Sequence, residues 1–167
     1  AVLSNLLPDC DDVHLVTIVP RGQAGGYTLT LPGEENDGYR RNELISRISM
    51  MLGGHAAERL FLEDISTGAS NDIERATRIA RAMVTRLCMT EEFDMMATEV
   101  INNMYLGGDT SLQCSAETAG KIDAKVLEII KEAHAKARAI LSDNRDKLDE
   151  LAKFLLDKET ITGEEFM

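Results

Sequence analysis

The sequence predicts a mainly α-helical domain with a small β-hairpin near its N-terminus and a helical hairpin at its C-terminus. Three observations lead there. Apolar residues recur at helical spacing over residues 71–87 and again over 115–155, while Val13–Val19 alternates in the β-branched style of a strand. With 167 residues and 44% hydrophobic content, the chain can fill one sizeable core.

In order, Val2, Leu3, Leu6 and Leu7 have helical spacing, and Pro8 ends the pattern. No capping residue precedes them, so the sequence is expected to begin inside a helix. Val13–Val19 follows as a strand with His14, Val16 and Ile18 on one face, and Gly26–Leu31 reads as its hairpin partner across a Gly-rich loop. Gly33–Tyr39 is an acidic loop. Asn42 is the expected cap of a helix whose Leu44, Ile48, Met51 and Leu52 face inward, and Gly53-Gly54 is expected to admit a second backbone.

The best-marked helix follows Ser66-Thr67-Gly68. Ile73, Ala76, Ile79, Ala80, Met83, Val84 and Leu87 form its apolar stripe, with Glu74, Arg75, Arg78, Arg81 and Arg86 opposite. Asn71 and Glu74 read as a capping box, which leaves Asp72 free. At about 100° per residue, Asp72 lies within about 60° of the stripe's centre. Its carboxylate is either a second cap favoured by the helix dipole or a group that needs a cation or metal.

Thr90–Gln113 is methionine-rich and irregular, with Met89, Met95, Met96 and Met104 read as core filler. Ser115 begins a long helix with Ile122, Val126, Ile129, Ile130, Ala133, Ala137, Ile140 and Leu141 as its stripe and His134 on its polar face. After a break at Ser142–Asn144, a second helix carries Leu148, Leu151, Ala152 and Leu155. Thr162 and Glu165 form a further capping box.

Composition narrows the function. Cys10, Cys88 and Cys114 are three, without C-x-x-C spacing, and are read as free thiols in a reducing compartment. The net charge of −11 is spread along the chain with no basic stripe or aromatic platform, which argues against nucleic-acid binding. No run of about 18 apolar residues occurs, so the piece itself is expected to be soluble.

Ser66–Ala82, STGASNDIERATRIARA, resembles the signature that follows the zinc site in the FtsH family of membrane-anchored AAA+ zinc metalloproteases. His14–Gly22 (HLVTIVPRG), Gly26–Pro32 (GYTLTLP), Leu52–Leu60 (LGGHAAERL) and Glu159–Phe166 (ETITGEEF) resemble the same family in the same order, and Tyr105–Asp109 matches it weakly.

The resemblance implies a helical peptidase domain over residues 1–167 in which Asp72 is the third protein ligand of a catalytic zinc. The other two ligands belong to an H-E-x-x-H helix whose glutamate activates the zinc-bound water. This sequence contains no H-E-x-x-H, and the family segment after that motif resembles residues 1–8. The expectation is therefore a peptidase domain cut at both ends, inactive alone, with the zinc helix, the ATP-binding AAA+ module and the transmembrane segments upstream.

Further implications are polypeptide substrates, from the membrane or unfolded in the cytoplasm, a hexameric ring, and a place on the cytoplasmic face of the inner membrane. Gly26, Tyr27, Thr28 and Leu29 are the candidate edge strand for an extended substrate, with an ordinary half-buried hairpin as the alternative. Glu58 is the rival carboxylate for the third zinc position, read as a hydrogen-bonded supporting group. His55 stands where the family usually has an arginine and is rejected as a ligand, and His14 has no partner at ligand spacing. The alternative function is a non-catalytic helical self-association module.

Overall fold

A computed structural model describes residues 1–31, 38–62, 64–102 and 108–166. Most of the acidic loop over 33–39, together with Met104, Tyr105 and Leu106, lies outside the described residues. The elements run α1 (Val2–Leu6), β1 (Asp12–Thr17), β2 (Tyr27–Leu31), α2 (Arg41–Met51), α3 (Gly53–Phe61), α4 (Ser70–Thr85), β3 (Glu99–Asn102) and β4 (Asp109–Leu112). They continue with α5 (Ala116–Asp143), α6 (Arg145–Lys158), β5 (Thr160–Thr162) and α7 (Gly163–Phe166).

The mainly helical architecture with its N-terminal hairpin and C-terminal helices is the one expected. The long α5 is the spine, with α1, α2, α3 and α4 all packed along it. Its stripe residues Ile122, Ile129, Ala133 and Ala137 are essentially sealed from solvent, as are Ile48 of α2 and Met83 of α4. Burying an isoleucine or methionine side chain is worth about 1.5–3 kcal/mol and an alanine far less, so the α2–α4–α5 contact is where the fold's hydrophobic stabilisation concentrates. A second cluster joins Leu3 and Leu7 of the first segment to Ala56, Ala137 and Leu141. Ser115 caps α5 as expected, its Oγ accepting the Thr118 amide at 3.2 Å.

The sheet is antiparallel in the order β2-β1-β5. A bulge between Val13 and Leu15 breaks the simple alternation on β1, so Val13 and Val16 face the core while His14 and Ile18 are exposed. That corrects the face expected for His14 and Ile18. The third strand, β5, is only three residues long and carries no strand signal of its own. A Cβ added at Gly163 would clash with the Val13 carbonyl, so α7 seats directly on the β1 backbone only because the residue is glycine. Glu165 accepts the Thr162 amide at 3.1 Å, the acceptor half of the expected box.

Several local expectations need correction. Asn42 does not cap α2: the helix starts one residue earlier, and Glu43 accepts the Arg40 amide at 2.7 Å. At Gly53 the close neighbour is the Leu3 side chain rather than a backbone, and Gly54 has open space. The stretch Thr90–Gln113 is irregular only as far as Thr98; beyond it β3 and β4 pair antiparallel from Glu99↔Leu112 to Asn102↔Asp109. Met95 and Met96 are exposed at 87% and 55%, so they do not fill the core, whereas Met89 packs against it.

Candidate functional site

Asp72 sits in the first turn of α4, but the helix begins earlier than capping logic suggests. Ala69 is the N-cap, no side chain caps it, and Asn71 is exposed. The expected Asn71–Glu74 box therefore does not form; Glu74 instead pairs with Arg78 one turn on, at 3.0 Å. This shift puts Asp72 at the third helical position, half-buried, one turn before the fully buried Ala76. Among the described residues its carboxylate makes no hydrogen bond and no ion pair, and only the positive end of the helix faces it.

The loop that delivers Asp72 is pinned by Glu58 of α3. Glu58 Oε1 accepts from Ser66 Oγ at 2.5 Å, and Oε2 accepts from the Ser66 amide at 3.1 Å. Ser66 Oγ in turn accepts the Gly68 amide at 3.1 Å. The hydroxyl bond and then the amide bond from Ser66 hold the Glu58 carboxyl below its ordinary value. Glu58 thus spends both oxygens on the loop, which suits a supporting group better than a metal ligand.

Tyr27, Thr28 and Leu29 lie on β2 and Gly26 immediately precedes it. β2 pairs with β1 on one side and has no strand on the other among the described residues. Tyr27, Leu29 and Leu31 are all exposed, so the hairpin is less buried than its alternating sequence suggests.

A tight structural or catalytic zinc site draws three or four of its ligands from protein, and no group of three or more His, Cys, Asp or Glu side chains gathers among the described residues. Burial pushes the Cys10 thiol up to about 11, so it supplies no thiolate at neutral pH. The residues present do not make a zinc site by themselves, and Asp72 is the one carboxylate of the motif left uncommitted. His14 is exposed, while His55 pairs with His134.

A model of peptidase family M41 matches residues 1–167. The chain belongs to that family. It is 52% identical to the ATP-dependent zinc metalloprotease FtsH of Clostridium perfringens over 168 residues, which cover all of this chain and 23% of that protein. It is 46% identical to FtsH of Caldicellulosiruptor bescii, over 99% of this chain and 27% of that one. Against FtsH 1 of a Thermoanaerobacter species the figures are 47%, 99% and 28%. The chain spans about a quarter of the length of the curated relatives it matches. No helix of the described residues is long and apolar enough to cross a membrane.

Sequence reasoning missed two features near these groups. The His55–His134 contact joins residues 79 apart, which no local pattern reveals. His134 is half-buried against α3 rather than on a solvated face; its place one position after Ala133 on the stripe was the available signal.

Proposed function

We propose that this M41 chain is the peptidase portion of an ATP-dependent zinc endopeptidase and that Asp72 is one protein ligand of its zinc. The observation that carries the reading is a half-buried carboxylate at the start of α4 with no partner among the described residues. Such a group is normally paired, and a cation fits its place on the rim of the core. Among the described residues no further ligand or general base gathers beside Asp72. A zinc ion held in part by Asp72 would supply an acidified water and Lewis-acid polarisation of a carbonyl oxygen.

Within this reading the chain's own residues position and bind. Glu58, through Ser66 and Gly68, fixes the loop from which Asp72 projects. The edge of β2 that carries no strand among the described residues, at Gly26, Tyr27, Thr28 and Leu29, offers main-chain groups to an extended polypeptide whatever its side chains. That generality suits membrane and unfolded cytoplasmic proteins as substrates. An ATP-driven AAA+ module, a hexameric ring and membrane anchorage with this domain on the cytoplasmic side complete the proposal for the whole protein.

Proteolysis of an unfolded protein by the full-length enzyme, with ATP and zinc, tests it. Asp72→Asn is expected to lower the rate at least 100-fold while ATP hydrolysis persists; an undiminished rate overturns the reading. The 167-residue chain alone is expected to take up no zinc tightly and to cleave nothing.

A further inference from the structure

The seam between α3 and α5 brings together two histidines that the proposed zinc-ligand reading does not use. His55 Nδ1 and His134 Nε2 are 3.2 Å apart, with ring centroids 5.2 Å apart and planes inclined by 55°. Both side chains are half-buried, so one side of the pair is walled by the two helices and the other is open to water.

From this geometry we infer a binding site for a borderline divalent metal ion of the zinc–nickel–copper class, chelated by His55 Nδ1 and His134 Nε2 with water in its other positions. Two imidazole nitrogens on one tetrahedral ion, each 2.0–2.1 Å from it, stand about 3.3 Å apart, so the backbones already hold the rings at chelating distance. Little reorganisation is needed. In the metal-free pair one ring donates its N–H to the other's lone pair. On binding, that proton moves to the donor ring's second nitrogen, so both facing nitrogens present lone pairs and no net proton is released from the neutral pair.

The surroundings set the expected strength. Burial, then the charges of His55, Arg138 and Arg59, holds His134 below its ordinary value, which keeps its nitrogen unprotonated at neutral pH. Arg59 on α3 and Arg138 on α5 also repel a cation, and Glu58, one turn from His55, offsets them only in part because Ser66 occupies its oxygens. With two protein ligands and this balance of charge, the site favours imidazole-seeking ions over magnesium or calcium.

The test is nickel(II) titration by calorimetry of the untagged full-length protein, carrying one zinc equivalent per chain and freed of excess zinc, at pH 7.5, alongside His55→Gln, His134→Gln and Asp72→Asn. Nickel is used because it does not oxidise the three thiols. The expected result is a nickel equivalent that weakens at least tenfold in each histidine variant, persists in Asp72→Asn and is displaced by excess zinc. No nickel uptake by the wild type, uptake unchanged in both histidine variants, or uptake lost only with Asp72 each overturns the site. Should His134→Gln melt early, His55→Gln decides.

Discussion

The two ends of α4 treat a carboxylate in opposite ways. At the far end, Glu99 of β3 is 8% exposed and fully engaged: Thr85 donates to it at 2.6 Å, and Arg86 approaches to 3.9 Å. Burial, the largest influence, pushes its carboxyl up, but hydrogen bonds from Thr110 and Thr85 and the charges of Arg86 and Arg81 outweigh that and hold it below its ordinary value. The Thr98 amide reaches Thr85 O at 2.8 Å, so the whole β3–β4 hairpin hangs from this corner. At the near end, Asp72 is half-buried and engaged by nothing among the described residues. One acid is consumed in holding the fold; the other has no partner among the described residues.

The sharpest way to break the contrast is to cut each end in turn. Met83→Ala, at the sealed middle of the helix, sets the scale with a loss of about 2–5 kcal/mol in denaturant unfolding. Glu99→Ala follows at about 1–3 kcal/mol, because Thr85 Oγ1 loses a charged acceptor in a buried corner. Its signature is in the pH dependence: a depressed carboxyl stabilises above its ordinary value and loses that contribution as pH falls through its folded value, so acid melts should flatten in the variant. Unchanged acid sensitivity would remove Glu99 from the comparison.

His134 titrates with the opposite charge but the same sign. Its folded value lies below the ordinary one, so the unfolded chain takes up the proton first and stability falls as pH drops below about 6.5. His134→Gln should lessen the drop in melting temperature between pH 7 and 5. A smaller and purely local effect is expected from Glu58→Gln: faster amide hydrogen exchange at Ser66 and Gly68 with the global melt nearly unmoved.

Most of the helical frame was legible because it rests on long periodic stripes. The Ile122–Leu141 stripe of α5 and the Ala76–Val84 stripe of α4 fall on the core as their spacing says. What escaped was decided by contacts distant in sequence. Asn71 is an excellent cap on local chemistry, yet Glu58 holds Ser66 and the following loop so that the helix starts at Ser70 instead. The strand β5 exists because β1 offers it an edge, and its three residues carry too little pattern to announce that. The bulge in β1 turned His14 outward against the expected alternation. The spacing singled out Asp72 as a spare acid, and it has no partner among the described residues; the Glu58–Ser66 bonds and the His55–His134 seam depend on how distant segments meet.

The central claim is that Asp72 is kept for a metal. Its most direct test is the zinc content of the purified full-length protein, wild type against Asp72→Asn, with unfolding measured on the metal-stripped forms. The account predicts stoichiometric zinc in the wild type, a large loss in the variant, and metal-free stabilities that agree within about 0.5 kcal/mol. An Asp72→Asn protein that keeps its full zinc, or one that unfolds as readily as Glu99→Ala does, contradicts it.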